Sequence, residues 1–96
     1  MKDLSEIIEV LRKHGEELKK NFKIEEIKIF GSYVKGSQKE SSDIDIIVKF
    51  EEPPTFIEFM RIQEELERLL GTKVDLLTEE SISPFIKPYI KDVVTV

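Results

Sequence analysis

Residues Asp43 to Phe50 constrain the fold more than any other stretch of the chain. Ile44, Ile46, Val48 and Phe50 alternate with Asp43, Asp45, Ile47 and Lys49. A period of two reads as a β-strand. One face is wholly apolar and has to cover a core, while the other opens with two carboxylates. Such a strand demands a sheet, and helices to bury its apolar side.

The flanking segments supply both. Leu4, Ile7, Ile8, Leu11 and Leu18 fall on one face at helical spacing, so a first helix is expected from about Leu4 to Lys20. Asp3 with Glu6 reads as its capping box. His14 lies within it, and as the single histidine of the chain it reads as a surface residue rather than a ligand. Asn21 to Lys23 is a connector, and Ile24 to Phe30 a strand with Ile27 and Ile29 on one face. Gly31 to Gly36 reads as a sharp turn into a short helix, and Ser37 to Ser42 as a loop.

Beyond Phe50, Pro53-Pro54 breaks the chain and Thr55 with Glu58 forms a second capping box. A helix is expected to Leu70, with Phe56, Phe59, Met60, Leu66, Leu69 and Leu70 facing inward, and Gly71 as its stop. Lys73 to Leu77 reads as a third strand. Ser83-Pro84 offers a helix start, Pro88 keeps that helix short, and Val93 to Val96 reads as a last extended piece. The expected architecture is a small α+β domain spanning residues 1–96, with a mixed or antiparallel sheet flanked by helices.

Composition removes several function classes. With 96 residues there is room for one core and one site. The absence of cysteine excludes disulfides, thiolate catalysis and cysteine-bound zinc. No apolar run approaches a membrane span, and the start of the chain, Met1 to Glu6, lacks a signal-peptide core, so a cytoplasmic location is expected. The net charge is −5, with 9 Lys/Arg against 10 Asp/Glu in residues 1–48 and 6 against 10 in residues 49–96. Neither half offers the basic platform that long nucleic acid requires. A Lys/Glu-rich chain without cysteine also suits a heat-adapted protein.

Three features carry chemistry. Gly31-Ser32 lies where a strand ends and a helix begins; free backbone N–H groups there bind phosphate, and glycine lets the anion approach. On its own, Gly-Ser after a strand is an ordinary turn. Asp43-Ile44-Asp45 is more telling. Side chains two apart on a strand point the same way, so two like charges are forced together. A hard divalent cation such as magnesium relieves that conflict. Asp75, a single charge between Val74 and Leu76, joins the cluster if its strand neighbours that of Asp45; otherwise it is a polar residue on an exposed sheet face. Three carboxylates plus substrate phosphates are a donor set for two metals about 4 Å apart.

Gly31-Ser32, ten residues, then Asp43-Ile44-Asp45 resembles the signature of the DNA polymerase β-like nucleotidyltransferase superfamily. The string GSYVKGSQKESSDIDIIV from Gly31 to Val48 resembles its minimal nucleotidyltransferase branch. The likeness extends to VDLLT around Asp75 and to IKPYI near the end. It implies Gly31 and Ser32 as the phosphate-binding element, and Asp43, Asp45 and Asp75 as catalytic, metal-binding carboxylates. Mg2+ (or Mn2+) and ATP are the implied cofactor and substrate. Lys35, where many relatives have arginine, and Ser42, just before the carboxylate pair, are supporting candidates at best.

Similar minimal proteins are antitoxins that place AMP on a tyrosine of a HEPN-domain toxin. The resemblance therefore implies transfer of AMP from ATP to a hydroxyl of a protein partner. A binding module that neutralises its partner by association, with nucleotide bound but not turned over, is the alternative. A polymerase or tRNA-modifying role ranks below both, because the chain lacks a polymer-binding surface.

Overall fold

A computed structural model describes residues 3–39, 41–85, 87–90 and 92–96. The first two residues of the expected non-signal N-terminus, and Ile86 of the IKPYI stretch, lie outside these. The elements run α1 (Leu4–Phe22), β1 (Ile24–Phe30), α2 (Ser32–Lys35), β2 (Ile44–Phe50), α3 (Phe56–Leu70), β3 (Val74–Thr78) and β4 (Val94–Thr95), with single 3-10 turns at Glu79–Ser81 and Lys87–Tyr89. The strand order is β3-β2-β1-β4. β1 runs antiparallel to β2 and β4, whereas β2 and β3 are parallel. The sheet is thus mixed. Its one parallel pair is joined through α3, the crossover that parallel strands require.

α1 starts at Asp3, whose carboxylate accepts the Glu6 N–H at 3.0 Å. It continues two residues beyond the expected end and stops where Lys23 turns left-handed at φ 54°. α3 carries the full capping box, with Thr55 and Glu58 bonded reciprocally, and ends on Gly71 at φ 68°. Ile7, Leu11 and Leu18 of α1 and Ile62, Leu66 and Leu70 of α3 pack on one face of the sheet. There they meet Ile27, Ile29, Ile44, Ile46 and Val48. A bulge at Glu25 supplies one extra residue in β1, which is why Ile24 and Ile27 are both buried despite their odd spacing.

The inward face of α3 differs from expectation. Phe56 is 78% exposed and Met60 is also exposed, while Ile62 is fully buried. Met60 lies two residues before Ile62, roughly 200° around the helix, and so faces solvent. Phe56 is the first residue of the helix, with no preceding turn to shelter it. Phe59 and Leu69 pack against the core as expected.

The end of the chain also differs from a simple helix. Ser83 Oγ accepts the Phe85 N–H at 3.2 Å, and its carbonyl accepts the Lys87 N–H. A turn results, followed by a 3-10 turn containing Pro88. β3 and β4 occupy opposite edges, so this segment must cross the sheet. It crosses the face away from the helices, above Lys28 and Ile47. Among the described residues no helix is long and apolar enough to cross a membrane.

Candidate active site

Ile44 and Ile46 point into the core, so Asp45 between them points to the other face of the sheet. Val74 and Leu76 do the same for Asp75. Parallel pairing sets Asp45 directly opposite Asp75. The two strands predicted to bring these carboxylates together are therefore neighbours in register.

Asp43 is placed differently from expectation. β2 begins at Ile44, whose N–H bonds the Lys73 carbonyl at 3.0 Å. Asp43 is exposed and lies just before the strand, outside its alternation. It is nonetheless close enough to act on Asp45. Burial, then the charges of Asp75 and Asp43, then a hydrogen bond with Asp75, push the Asp45 carboxyl above its usual 3.8. Among the described residues no three carboxylate or imidazole groups converge into a ready-made metal cage. Hard oxygen donors side by side suit a divalent cation completed by phosphate oxygens.

Gly31 adds a constraint that needs the register to be seen. Phe30 pairs with Asp45 across β1 and β2, which brings Gly31 against the same carboxylate. A Cβ on Gly31 would overlap the Asp45 carboxylate oxygen. Gly31 also adopts φ 81°, ψ −149°, a region open to glycine alone. Its carbonyl accepts the Lys35 N–H at 3.1 Å, closing the single turn of α2. Helix geometry leaves the N–H groups of Ser32, Tyr33 and Val34 without intrahelical partners, next to the Asp45 side of the sheet. Ser32 is half-buried.

Tyr33 was not legible as a functional residue. Its ring is buried, and its hydroxyl donates to the Ser42 carbonyl at 3.4 Å. It thereby ties α2 to the residue preceding Asp43. Ser42 Oγ is engaged in the loop, accepting the Lys39 N–H at 2.8 Å. Lys35 is exposed at the end of α2.

Two outcomes follow from this geometry. Gly31→Ala should destabilise the domain by about 1–3 kcal/mol through backbone strain alone, and should displace Asp45; a thermal melt and divalent-ion binding measure the two effects. Asp45→Asn removes a group whose raised pKa disfavours the folded state at neutral pH. The penalty is absent below the unfolded value near 3.8 and sets in as pH rises through the folded value. The variant should therefore melt above the wild type at pH 7, with the difference vanishing near pH 3. Equal melting temperatures at pH 7 in metal-free buffer would contradict it.

Comparison with known proteins places this arrangement. A family model for the nucleotidyltransferase domain matches residues 11–95. A Methanocaldococcus jannaschii protein named "Putative protein adenylyltransferase" is 56% identical over 82 residues, covering 85% of this chain and 95% of its own. Protein adenylyltransferase MntA of Thermococcus cleftensis is 45% identical over 97 residues, covering 100% and 98%. A solved structure of a "putative minimal nucleotidyltransferase" superposes with TM-score 0.81 at 29% identity, covering 99% of this chain and 97% of that one. A toxin–antitoxin structure with AMP-PNP superposes with TM-score 0.64 at 30% identity, covering 77% and 61%. With the strand–turn–helix at Gly31-Ser32 and the paired strands bearing Asp45 and Asp75 in place, the chain belongs to the nucleotidyltransferase domain family, in its minimal branch.

Proposed function

We propose that this chain is a protein adenylyltransferase that moves AMP from ATP to a hydroxyl of a protein partner, acting as the antitoxin toward a HEPN-domain toxin. The observation that carries the reading is the pairing of Asp45 with Asp75 against Gly31. The relative named protein adenylyltransferase MntA supports the donor and the class of acceptor. The toxin–antitoxin neighbour with AMP-PNP supports both a protein partner and an adenine nucleotide.

In this reading the backbone N–H groups following Gly31, with the Ser32 hydroxyl, hold the β- and γ-phosphates. Asp43, Asp45 and Asp75 hold Mg2+, with Mn2+ able to serve in its place. When bound, the metal offsets phosphate charge and lowers the pKa of the acceptor hydroxyl. Asp43 and Asp75 are both more exposed than Asp45, which leaves them open to an incoming substrate. The acceptor oxygen bonds to the α-phosphorus, the bond from the α-phosphorus to the bridging oxygen breaks, and pyrophosphate departs with that electron pair. The hydroxyl proton leaves to a neighbouring base or water. Tyr33, through Ser42, fixes the approach of the loop that carries Asp43.

The test is incubation with α-labelled ATP, Mg2+ and a HEPN-domain partner. Label should appear on the partner. It should fall by about 10³-fold or more with Asp43→Asn and Asp45→Asn combined, since several kcal/mol of metal-borne stabilisation are lost. Folded wild type that transfers nothing sinks the transferase reading. A double variant that still silences the toxin shows that association suffices. Mg2+ should also raise the melting midpoint of the wild type, and more so with nucleotide present; a midpoint indifferent to divalent ion argues against a shared metal site.

A further inference from the structure

Among the described residues β3 is an edge strand, with β2 on one side and no strand on the other. Successive residues of a strand turn their backbone groups alternately to its two sides. Lys73 turns toward β2, where its carbonyl accepts the Ile44 N–H at 3.0 Å. Asp75 turns the same way, so Val74 between them presents its N–H and carbonyl to the open edge. Both are met by α3. Glu67 Oε2 accepts the Val74 N–H at 3.0 Å, and the Gln63 side-chain amide donates to the Val74 carbonyl at 3.2 Å. Gln63 and Glu67 are half-buried and lie one turn apart on the same helix face. As the crossover between two parallel strands, α3 runs back along the sheet, so its later residue meets the N–H and its earlier one the carbonyl.

This clasp acts on the residue just before Asp75. The peptide group joining Val74 to Asp75 has its carbonyl held by Gln63 and its N–H turned to β2. The backbone leading into Asp75 is thus fixed from both sides. Asp75 is the second residue of β3 and stands opposite Asp45. Like charges there push the two strands apart, and the end of an edge strand is where a ladder opens most readily. A carboxylate pair serves a cation only while both members stay in place. Groups that orient metal ligands from behind are worth about 10–100-fold in metal affinity or activity.

We propose that Gln63 and Glu67 are positioning residues for the metal site: by clasping Val74 they hold Asp75 opposite Asp45 before a cation arrives. The inference rests on Asp45 and Asp75 sharing a divalent ion, as in the reading above. Both side chains act through the Val74 backbone and not on substrate. With the clasp closed, the ion meets a formed pair and spends none of its binding energy on ordering the strand. With it open, the ion must also draw β3 back, so more of it is needed, while the chemistry of the loaded site is kept. Glu67 serves here as an acceptor, so its charge is dispensable and a side-chain amide oxygen keeps the bond. Methionine at either position keeps a helix-forming stem and removes the polar group.

Mg2+ titrations of the full chain test this on the wild type, Glu67→Met, Gln63→Met, Glu67→Gln and, as a control, the α1 core variant Ile7→Val. Two readouts are followed: the melting midpoint with ATP present and no partner, and label transfer to the HEPN-domain partner. Half-saturating Mg2+ should rise about tenfold or more in Glu67→Met and Gln63→Met by both readouts, with transfer at saturating Mg2+ close to that of the wild type. Glu67→Gln should match the wild type. Ile7→Val should lower the metal-free midpoint and leave half-saturating Mg2+ unchanged. Should Glu67→Met fail to fold, Gln63→Met, which keeps the bond to the Val74 N–H, decides alone. If the methionine variants lose stability as Ile7→Val does but keep the wild-type Mg2+ requirement, the clasp belongs to the fold only and the proposal is overturned. It is overturned equally if Glu67→Gln needs as much Mg2+ as Glu67→Met, because then the charge and not the bond matters. A wild type that ignores Mg2+ removes the shared metal site itself; variants that match a responsive wild type refute the clasp and leave that site standing.

Discussion

Two carboxylates held opposite each other across a parallel strand pair are the constraint around which this domain is arranged. Asp45 and Asp75 have no freedom to separate, because their strands are locked by Ile44, Ile46, Val74 and Leu76 on the other face. Burial and the neighbouring charges of Asp75 and Asp43 all oppose ionisation of Asp45. Each fully buried aliphatic side chain contributes about 1.5–3 kcal/mol in the opposite direction. With Ile7, Leu11, Ile29, Ile62, Leu66 and Leu70 all fully buried, the core outweighs the repulsion and holds the carboxylates together.

The other parts of the site are fitted to that pair. Gly31 is a glycine twice over, for its backbone angles and for the carboxylate lying where its Cβ would be. The loop between α2 and β2 is pinned by Tyr33 to Ser42, so Asp43 approaches from a fixed side although it lies outside the ladder. Three segments distant in sequence thus meet at one end of the sheet, each brought there by a strand terminus.

Much of this was legible in the residues themselves. The alternation in Asp43 to Phe50 identified β2, and a period of two put Asp45 on the face away from the core. Fixed spacing from Gly31-Ser32 to the aspartates located the turn. What period alone misjudged was Asp43, because alternation says nothing about where a ladder begins. Phe56 and Met60 were misread because apolar spacing shows that a stripe exists but not where its centre lies, and Ile62 sets that centre. The contact of Gly31 with Asp45 required the register of β1 on β2.

The segment crossing from β3 to β4 leaves the molecule with two very different degrees of firmness on its two faces. The helical face is sealed by a continuous core. The cover on the other face is anchored at its far end by β4, two residues long and paired only at Lys28 and Ile29, with one further bond from the Val96 N–H to the Ile27 carbonyl. Opening of so short a ladder belongs to the low end of local unfolding energies, well below the cost of disrupting the core. The cover can therefore open on the timescale of a fraying strand end, while the strands that carry Asp45 and Asp75 stay as firm as the folded state itself.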